Sequence, residues 1–122
     1  MQNWQTQLKY DPISPLLGSG DEVLDFFVRR DLLGEDVGPV ERLWALPGAL
    51  RILKKQQPDG SWPRRGEFKH PAINYGLIET WRWLRLLVAQ YGFTCQHPAV
   101  KKAAEFIFSC QAEEGDLRGI LA

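Results

Sequence analysis

The sequence predicts an all-α fold, and two observations support this class. Apolar residues recur with helical spacing in successive stretches of the chain, whereas no stretch alternates apolar and polar residues as a strand would. In addition, the segment Gln56-Gln-Pro-Asp-Gly-Ser-Trp62 closes one amphipathic helix and returns in weaker form as Gln111-Ala-Glu-Glu-Gly-Asp-Leu117 at the end of another. A supersecondary unit that occurs twice explains this pattern better than one chance turn.

The two copies agree beyond the turn itself. Turn chemistry alone would account for Asp59 and Gly60, but not for the agreement of the helices that precede the turns. We therefore expect helical hairpin repeats at about 39–62 and 97–117. The matched pairs are Gln56 and Gln111, Asp59 and Glu114, Gly60 and Gly115, Ile52 and Ile107, and Ala49 and Ala104.

The amino-terminal residues 1–18 predict an extended arm, because prolines and a glycine interrupt isolated apolar residues there. The repeat domain is expected to cover residues 19–122. Its first helix should start at Ser19, since Ser19 followed by Glu22 has the pattern of a capping box, and should stop at Gly34. The apolar stripe of this helix is predicted to be Val23, Leu24, Phe27, Val28 and Leu32.

A second helix is expected from Pro39 to Gln56, with its apolar residues at helical spacing. Pro47 should kink or break it between Leu46 and Gly48, because proline lacks a backbone donor and clashes with the preceding turn. The following residues 57–71 are rich in proline and glycine, which predicts an irregular loop.

A third helix is predicted from about Ala72 to Tyr91, and a fourth from Pro98 to Cys110. Gly92 and Gly115 should stop them. The buried stripe of the third helix is predicted from its spacing to be Ile73, Leu77, Trp81, Leu84, Val88 and Tyr91, and that of the fourth to be Val100, Ala103, Ala104, Ile107 and Phe108.

The composition narrows the range of partners and environments. A chain of 122 residues suits one compact domain, and its 15 basic and 15 acidic residues leave no net field that would collect nucleic acid. The amino terminus lacks a signal-peptide layout and no stretch is apolar enough to span a membrane, which favours a cytoplasmic protein. Cys95 and Cys110 flank the fourth helix and are expected to be free thiols, since the helix holds them too far apart for a disulfide.

The order glutamine, glycine, tryptophan at the end of a helix resembles the repeat of terpenoid cyclases and protein prenyltransferases, which is also found in squalene cyclase-like proteins. The resemblance implies an α/α toroid of helical hairpins, in which Gln56 bonds the start of a neighbouring helix and Trp62 stacks on the glutamine. The oxygen of a side-chain amide could accept hydrogen bonds from the backbone N–H groups that a helix start leaves unsatisfied. The second copy has Leu117 in place of the tryptophan, so only capping is expected of Gln111.

A closed toroid has more helix pairs than this chain supplies, which predicts an incomplete toroid from a longer protein. Stacked repeats without neighbours would leave an apolar flank exposed. We therefore expect self-association or a protein partner at that flank.

Catalytic motifs of the resembled enzymes are not evident. The sequence lacks an Asp-x-Asp-Asp motif, and its nearest magnesium-type cluster is Asp21, Glu22 and Asp25, which capping and the helix dipole explain better. Cys95 and His97 with His70 do not match the zinc ligands of prenyltransferases, and His97 is more simply a residue that starts a helix. No catalytic residue, metal or cofactor is predicted.

Ligand binding is a further hypothesis. Arg64, Arg65, Lys69 and His70 form a basic cluster that could meet a diphosphate or carboxylate, since guanidinium groups bind such oxygens bidentately. Trp83 is expected to project away from the Trp81 stripe, where it could line a cavity for an isoprenoid-like ligand.

Three functions remain open at this point. The first is a non-catalytic helical scaffold that binds a protein partner or an apolar ligand. The second is part of an active polyprenyl cyclase or prenyltransferase whose catalytic residues lie beyond Ala122. The third, a carbohydrate-active α/α barrel, would need acidic residues at helix starts, and Asp11 and Glu67 are too isolated to support it.

Overall fold

The computed structural model describes residues 3–64 and 73–117. Throughout these ranges the regular secondary structure is helical, and Gln111 and Leu117 form an isolated antiparallel bridge. The all-α class is confirmed. The chain divides into two compact units, Met1–Pro39 and Val40–Ala122.

The first unit contains short helices where an extended arm was predicted. A 3-10 helix covers Asn3–Gln7 and helix α1 covers Ile13–Leu17. The Asp11 carboxylate explains the start of α1, because it accepts bonds from the Ile13 backbone N–H and the Ser14 hydroxyl. A local cap thus overcomes the helix-breaking effect that the prolines suggested.

Helix α2 covers Glu22–Phe27 and continues as a π-helical turn over Val28–Leu32. Its cap is Asp21, whose carboxylate accepts from the backbone N–H groups of Val23 and Leu24, so the predicted capping box at Ser19 is wrong. The predicted stripe is right at Val23 and Val28, which are buried, but Phe26 rather than Phe27 is fully enclosed, and Leu32 is exposed.

The second unit begins with a broken helix, as the sequence predicted. A 3-10 helix covers Val40–Ala45, Leu46 is extended with φ −65° and ψ 147°, and helix α3 covers Pro47–Lys54. Pro47 occupies the first turn of α3, where a missing N–H costs nothing. Gly48 lies against the Tyr91 hydroxyl, which brings the start of α3 close to the end of helix α4.

Helices α4, Tyr75–Tyr91, and α5, Pro98–Ser109, complete the second unit. The Asn74 side chain caps α4 by accepting from the Leu77 N–H, and Gly92 ends it. Helices α3, α4 and α5 enclose one apolar core together with residues from the loops, and its buried members are Ala49, Ile52, Trp62, Leu87, Phe93, Val100 and Ala103. Within the described ranges, no helix combines the length and apolar character needed to cross a membrane.

The buried face of α4 differs from the predicted stripe. Leu77 is buried as expected, but Trp81 and Val88 are 55% and 46% exposed. Thr80 and Leu87 are fully enclosed instead. Helical spacing identified a face with the correct period but could not show which side of α4 its neighbours α3 and α5 would cover.

Candidate functional site

The turn that follows α3, residues 56–62, is held by a compact set of backbone bonds and is called here the first turn. The Gln57 N–H donates to Ser61 O over 2.8 Å, and the Gly60 N–H donates to Gln57 O over 2.9 Å. Gly60 has φ +93°, a backbone conformation that side-chain-bearing residues rarely adopt. The Asp59 carboxylate accepts from the Ser61 hydroxyl and N–H, which lowers its pKa below the ordinary aspartate value.

Gln56 links this turn to helix α5. Its Nε2 donates to Gly60 O over 3.0 Å and to Ala99 O, in the first turn of α5, over 2.9 Å. The resemblance implied contact with a helix start, and the amide does reach one. It meets a carbonyl, however, rather than an unsatisfied N–H, because the His97 imidazole already accepts from the Ala99 N–H.

Gly60 makes a second link to α5 through its backbone. A Cβ atom at this position would overlap the Lys102 carbonyl group, and it would lie 3.0 Å from the Ala103 nitrogen. The backbone of the turn therefore packs directly on the backbone of α5. Only glycine allows this approach, for steric as well as conformational reasons.

Trp62 anchors the turn from inside the core. It is 1% exposed, its indole Nε1 donates to Ile52 O over 2.8 Å, and its backbone N–H donates to the Thr80 hydroxyl over 3.0 Å. The tryptophan thus ties the end of α3 to the middle of α4. Sequence reasoning missed Thr80, although its position between Leu77 and Leu84 in a helical repeat marks a polar residue on a buried face.

The turn that follows α5, residues 111–117, reproduces the same backbone bonds and is called the second turn. The Ala112 N–H donates to Asp116 O over 2.7 Å, and the Gly115 N–H donates to Ala112 O over 2.9 Å. Gly115 has φ +92°, and Gln111 Nε2 donates to Gly115 O over 2.7 Å. Each of these groups corresponds to one in the first turn.

The surroundings of the second turn are different. Gln111, Gly115 and Leu117 are exposed, and Leu117 has 46% of its surface accessible where Trp62 has 1%. Among the described residues, a Cβ atom at Gly115 would meet only Gln111 Nε2, at 3.6 Å. Among the residues that the structure describes, no helix covers this turn.

An apolar cleft of about 360 Å³ lies beside the second turn, lined by Leu77, Ile78, Trp81, Ile107 and Leu117. Phe108, next to Ile107 in the sequence, is 65% exposed, which corrects its predicted place in the buried stripe of α5. Exposed aromatic and aliphatic side chains around one depression are typical of surfaces that contact another molecule.

A second, larger cavity of about 800 Å³ lies beside the first turn, and we call it the basic aromatic cavity. Trp62 and Trp83 contribute aromatic surface, and Glu79, 13% exposed, lies 3.9 Å from Arg82 Nη1. Its lining is Lys55, Trp62, Pro63, Arg64, Ile78, Glu79, Arg82 and Trp83. This is where the structure brings together Arg64 and Trp83, two of the predicted ligand-binding residues.

Arg64 also has an aromatic partner. Its guanidinium lies over the Tyr75 ring, 4.4 Å from the ring centroid, which is within cation–π range. The other members of the predicted basic cluster, Arg65, Lys69 and His70, lie outside the described residues.

The candidate metal ligands have other roles where the structure describes them. Asp21 caps α2, and Asp25 pairs with Arg29 over 3.1 Å. Across residues 3–64 and 73–117, no group of three or more histidine, cysteine or acidic side chains is arranged to hold a metal ion. Cys95 is exposed and Cys110 half-buried, and both are free thiols, as predicted.

His97 starts α5, as the sequence indicated, and its imidazole is held in the neutral form. Its Nδ1 accepts from the Ala99 N–H over 3.0 Å, and its ring contacts Trp44 and Phe93. Partial burial lowers the pKa of His97 below its ordinary value, because desolvation disfavours the charged imidazolium.

Comparison of the chain with protein-family models, curated protein sequences and solved structures found no match.

Proposed function

We propose that this chain is a helical repeat scaffold, similar to part of a terpenoid cyclase or prenyltransferase toroid, that binds a protein partner through its apolar cleft. The scaffold hypothesis is supported by the two glutamine–glycine turns, which share their backbone bonds, their positive glycine φ angles and the glutamine-to-glycine bond. In repeat proteins each unit packs on the next, and a unit without a neighbour leaves an apolar face to be covered.

The observation that carries the protein-binding hypothesis is the exposure of the cleft. Trp81 and Leu117 have 55% and 46% of their surfaces accessible at its rim. Tryptophan is strongly enriched among residues that dominate binding energy at protein interfaces. Burial of these side chains by a partner would contribute roughly 25 cal/mol for each Å² of apolar surface removed from water.

A second copy of the chain is the simplest partner to test. We expect sedimentation equilibrium or light scattering to show a rise in average mass with concentration. Trp81→Ser should weaken this self-association about tenfold, because it removes the largest exposed side chain of the cleft. Val88→Ser is the matched control, since Val88 is 46% exposed on the same helix but does not line the cleft.

A clean monomer at the highest attainable concentration would contradict self-association. Equal effects of Trp81→Ser and Val88→Ser would contradict the cleft as its location, because the two changes differ in whether they touch the cleft lining.

A second candidate function is binding of an isoprenoid-like ligand with an anionic head, favoured by the basic aromatic cavity. Arg64 and Lys55 could meet the anion while Trp83 contacts an apolar body. A prenyl diphosphate titrated by calorimetry should bind the wild type more tightly than the Arg64→Ala, Arg65→Ala double variant. An unchanged titration would remove this candidate. Lys101→Ala is a suitable control, because Lys101 is exposed on α5 and does not line the cavity.

A further inference from the structure

We infer that the second turn is a docking site for one α-helix of a partner protein, and that this helix has the surface chemistry of α5. The inference rests on the proposed function as a protein-binding scaffold and specifies what the partner presents. It requires a helix with small residues four positions apart, an apolar residue beside them, and lysine or arginine on the flank.

The first turn shows how such a turn holds a helix. Gln56 donates one amide hydrogen to its own turn, at Gly60 O, and the other to Ala99 O on the docked helix. Gly60 lies against the backbone at Lys102 and Ala103. The turn therefore holds a helix by one side-chain bond and one close backbone approach, and the approach requires small side chains on that face of the helix.

The second turn has the same two features, a glutamine amide and a glycine with positive φ, and no described helix contacts them. A glutamine amide has two N–H donors, and Gln111 Nε2 uses one of them, on Gly115 O. Among the described residues nothing accepts the other. Of the described residues, Gln111 alone lies near the side of Gly115 where a Cβ would project. No residue within the described ranges takes the places that Ala99 and Lys102 have at the first turn.

The size of the docked residues follows from the backbone approach. In the first turn the docked helix offers Ala99 and Ala103, which are 6% and 0% exposed, and Val100 enters the core next to them. A large side chain at either alanine position would hold the two backbones apart. At the second turn the apolar cleft lies in the corresponding place to receive a residue such as Val100.

The charge of the partner follows from the acidic character of the second turn. Glu113, Glu114 and Asp116 flank Gly115, whereas the first turn has Pro58, Asp59 and Ser61 in the corresponding places. A helix with basic residues beside its small face would gain favourable electrostatic interactions there, although exposed pairs contribute modestly. Helix α5 has this feature, because Lys101 and Lys102 follow directly after Val100.

A second copy of this chain does not offer such a helix. The small face of α5 is already used by the first turn of its own chain, as the burial of Ala99 and Ala103 shows. A second copy is therefore not the occupant, and the helix that we propose for the second turn belongs to a partner protein. Self-association through the exposed side chains of the cleft does not need Gly115, which allows the two events to be separated by experiment.

The probe is a synthetic peptide with the sequence of residues 97–110, with Cys110→Ser to prevent oxidation. A lactam between the side chains of Lys101 and Glu105, which are both exposed and one turn apart, would hold the peptide helical, since short helices are unstable alone in water. Binding to the full chain would be followed by fluorescence anisotropy of a label on the peptide. The matched control peptide carries Ala103→Leu.

Three chain variants locate the binding. Gly115→Asn adds a side chain where a docked backbone would lie, and asparagine is among the residues that best tolerate positive φ. Gln111→Met removes the amide donors while keeping the length of the side chain. Val88→Ser is the control, and circular dichroism should show that each variant keeps the helical content of the wild type.

We expect the wild type and Val88→Ser to bind the peptide equally, Gly115→Asn and Gln111→Met to bind at least tenfold more weakly, and the Ala103→Leu peptide not to bind. Equal binding by Gly115→Asn and the wild type would overturn the inference, and so would failure of the wild type to bind. A homodimer abolished by Gly115→Asn would overturn it too, because a second copy would then be the occupant. The proposed function has a separate test. It would be contradicted if Trp81→Ser weakened self-association no more than Val88→Ser, whatever the effect of Gly115→Asn on peptide binding.

Discussion

The two turns of this chain have nearly the same internal structure in very different surroundings. Their glycines have φ angles of +93° and +92°, and their backbone bonds correspond one to one. Trp62 in the first turn is nevertheless 1% exposed, while Leu117 in the second is 46% exposed. The local sequence is sufficient to form the turn, and the neighbouring helix decides whether the turn is buried.

This difference separates two contributions to stability that are usually mixed. At the second turn, the contributions to the free energy of unfolding are mainly local, namely the hydrogen bonds within the turn and the cost of a positive φ. The first turn adds its contacts with α5 and with the core. Matched substitutions at corresponding positions therefore measure the contribution of the docked helix directly, provided the two sites are far enough apart to act independently.

The largest difference is expected at the residue that ends each turn. Trp62→Ala should lower the free energy of unfolding by about 3 to 5 kcal/mol, because it opens a large cavity and removes the bond to Ile52 O. Leu117→Ala should change it by less than about 1 kcal/mol, since Leu117 is half exposed. Urea unfolding followed by circular dichroism would measure both. Similar losses for the two variants would contradict the contrast in burial.

The glycines should show the next largest difference. Gly60→Ala is expected to cost about 3 kcal/mol, because the new Cβ would have a strained φ and would push against the Lys102 carbonyl. Gly115→Ala should cost about 1 kcal/mol, since it meets the φ strain alone. Thermal melts of both variants would give the difference. Equal costs would show that the approach of Gly60 to α5 contributes nothing.

A smaller difference is expected at the glutamines. Gln56→Met should destabilise the chain by about 1 to 2 kcal/mol, because Gly60 O and Ala99 O both lose a donor in a half-buried place. Gln111→Met should cost less than about 0.5 kcal/mol, because water can replace its exposed bond to Gly115 O. Denaturant midpoints compared at the same slope would test this, and a larger loss at Gln111 would reverse the comparison.

The smallest change in stability is expected when the pH is lowered from 8 to 5. It should come from protonation of His97, at the start of α5. The folded pKa of His97 is lowered by burial, so its contribution to stability is complete above the unfolded value of about 6.5 and is lost as pH falls through the folded pKa. Burial disfavours the charged imidazolium, and protonation of Nδ1 would also remove the bond that it accepts from the Ala99 N–H. Melting temperatures at pH 8 and pH 5 should therefore differ more for the wild type than for His97→Asn, which can cap without titrating. An equal pH dependence would mean that His97 does not contribute.

The sequence was most informative where one residue type is required by backbone geometry. Gly60 and Gly115, with the glutamines before them, predicted two corresponding turns, and Pro47 predicted the break that the structure has at Leu46. These predictions depend on steric limits of the residue itself. Such limits act in the same way whatever the rest of the fold does.

Sequence reasoning failed where a neighbour or a competing local bond made the choice. Trp81 has the correct spacing for a buried stripe, but the enclosed residue is its neighbour Thr80, whose hydroxyl accepts from the Trp62 N–H. Ser19 and Asp21 are both good caps, and the one nearer the helix start prevailed. The apolar cleft was expected only as an exposed flank, because its lining joins residues of α4, α5 and the second turn that are distant in sequence.

The way Gly60 lies on the Lys102 and Ala103 backbone has a consequence for how such a chain can lengthen. The contact between the first turn and α5 uses main-chain atoms and one side-chain amide. A duplicated helix could therefore pack on such a turn without any new matched pair of side chains. Growth by internal duplication then needs only a glutamine, a glycine and a small residue to be retained at each junction. The rest of each unit would be free to diverge in sequence.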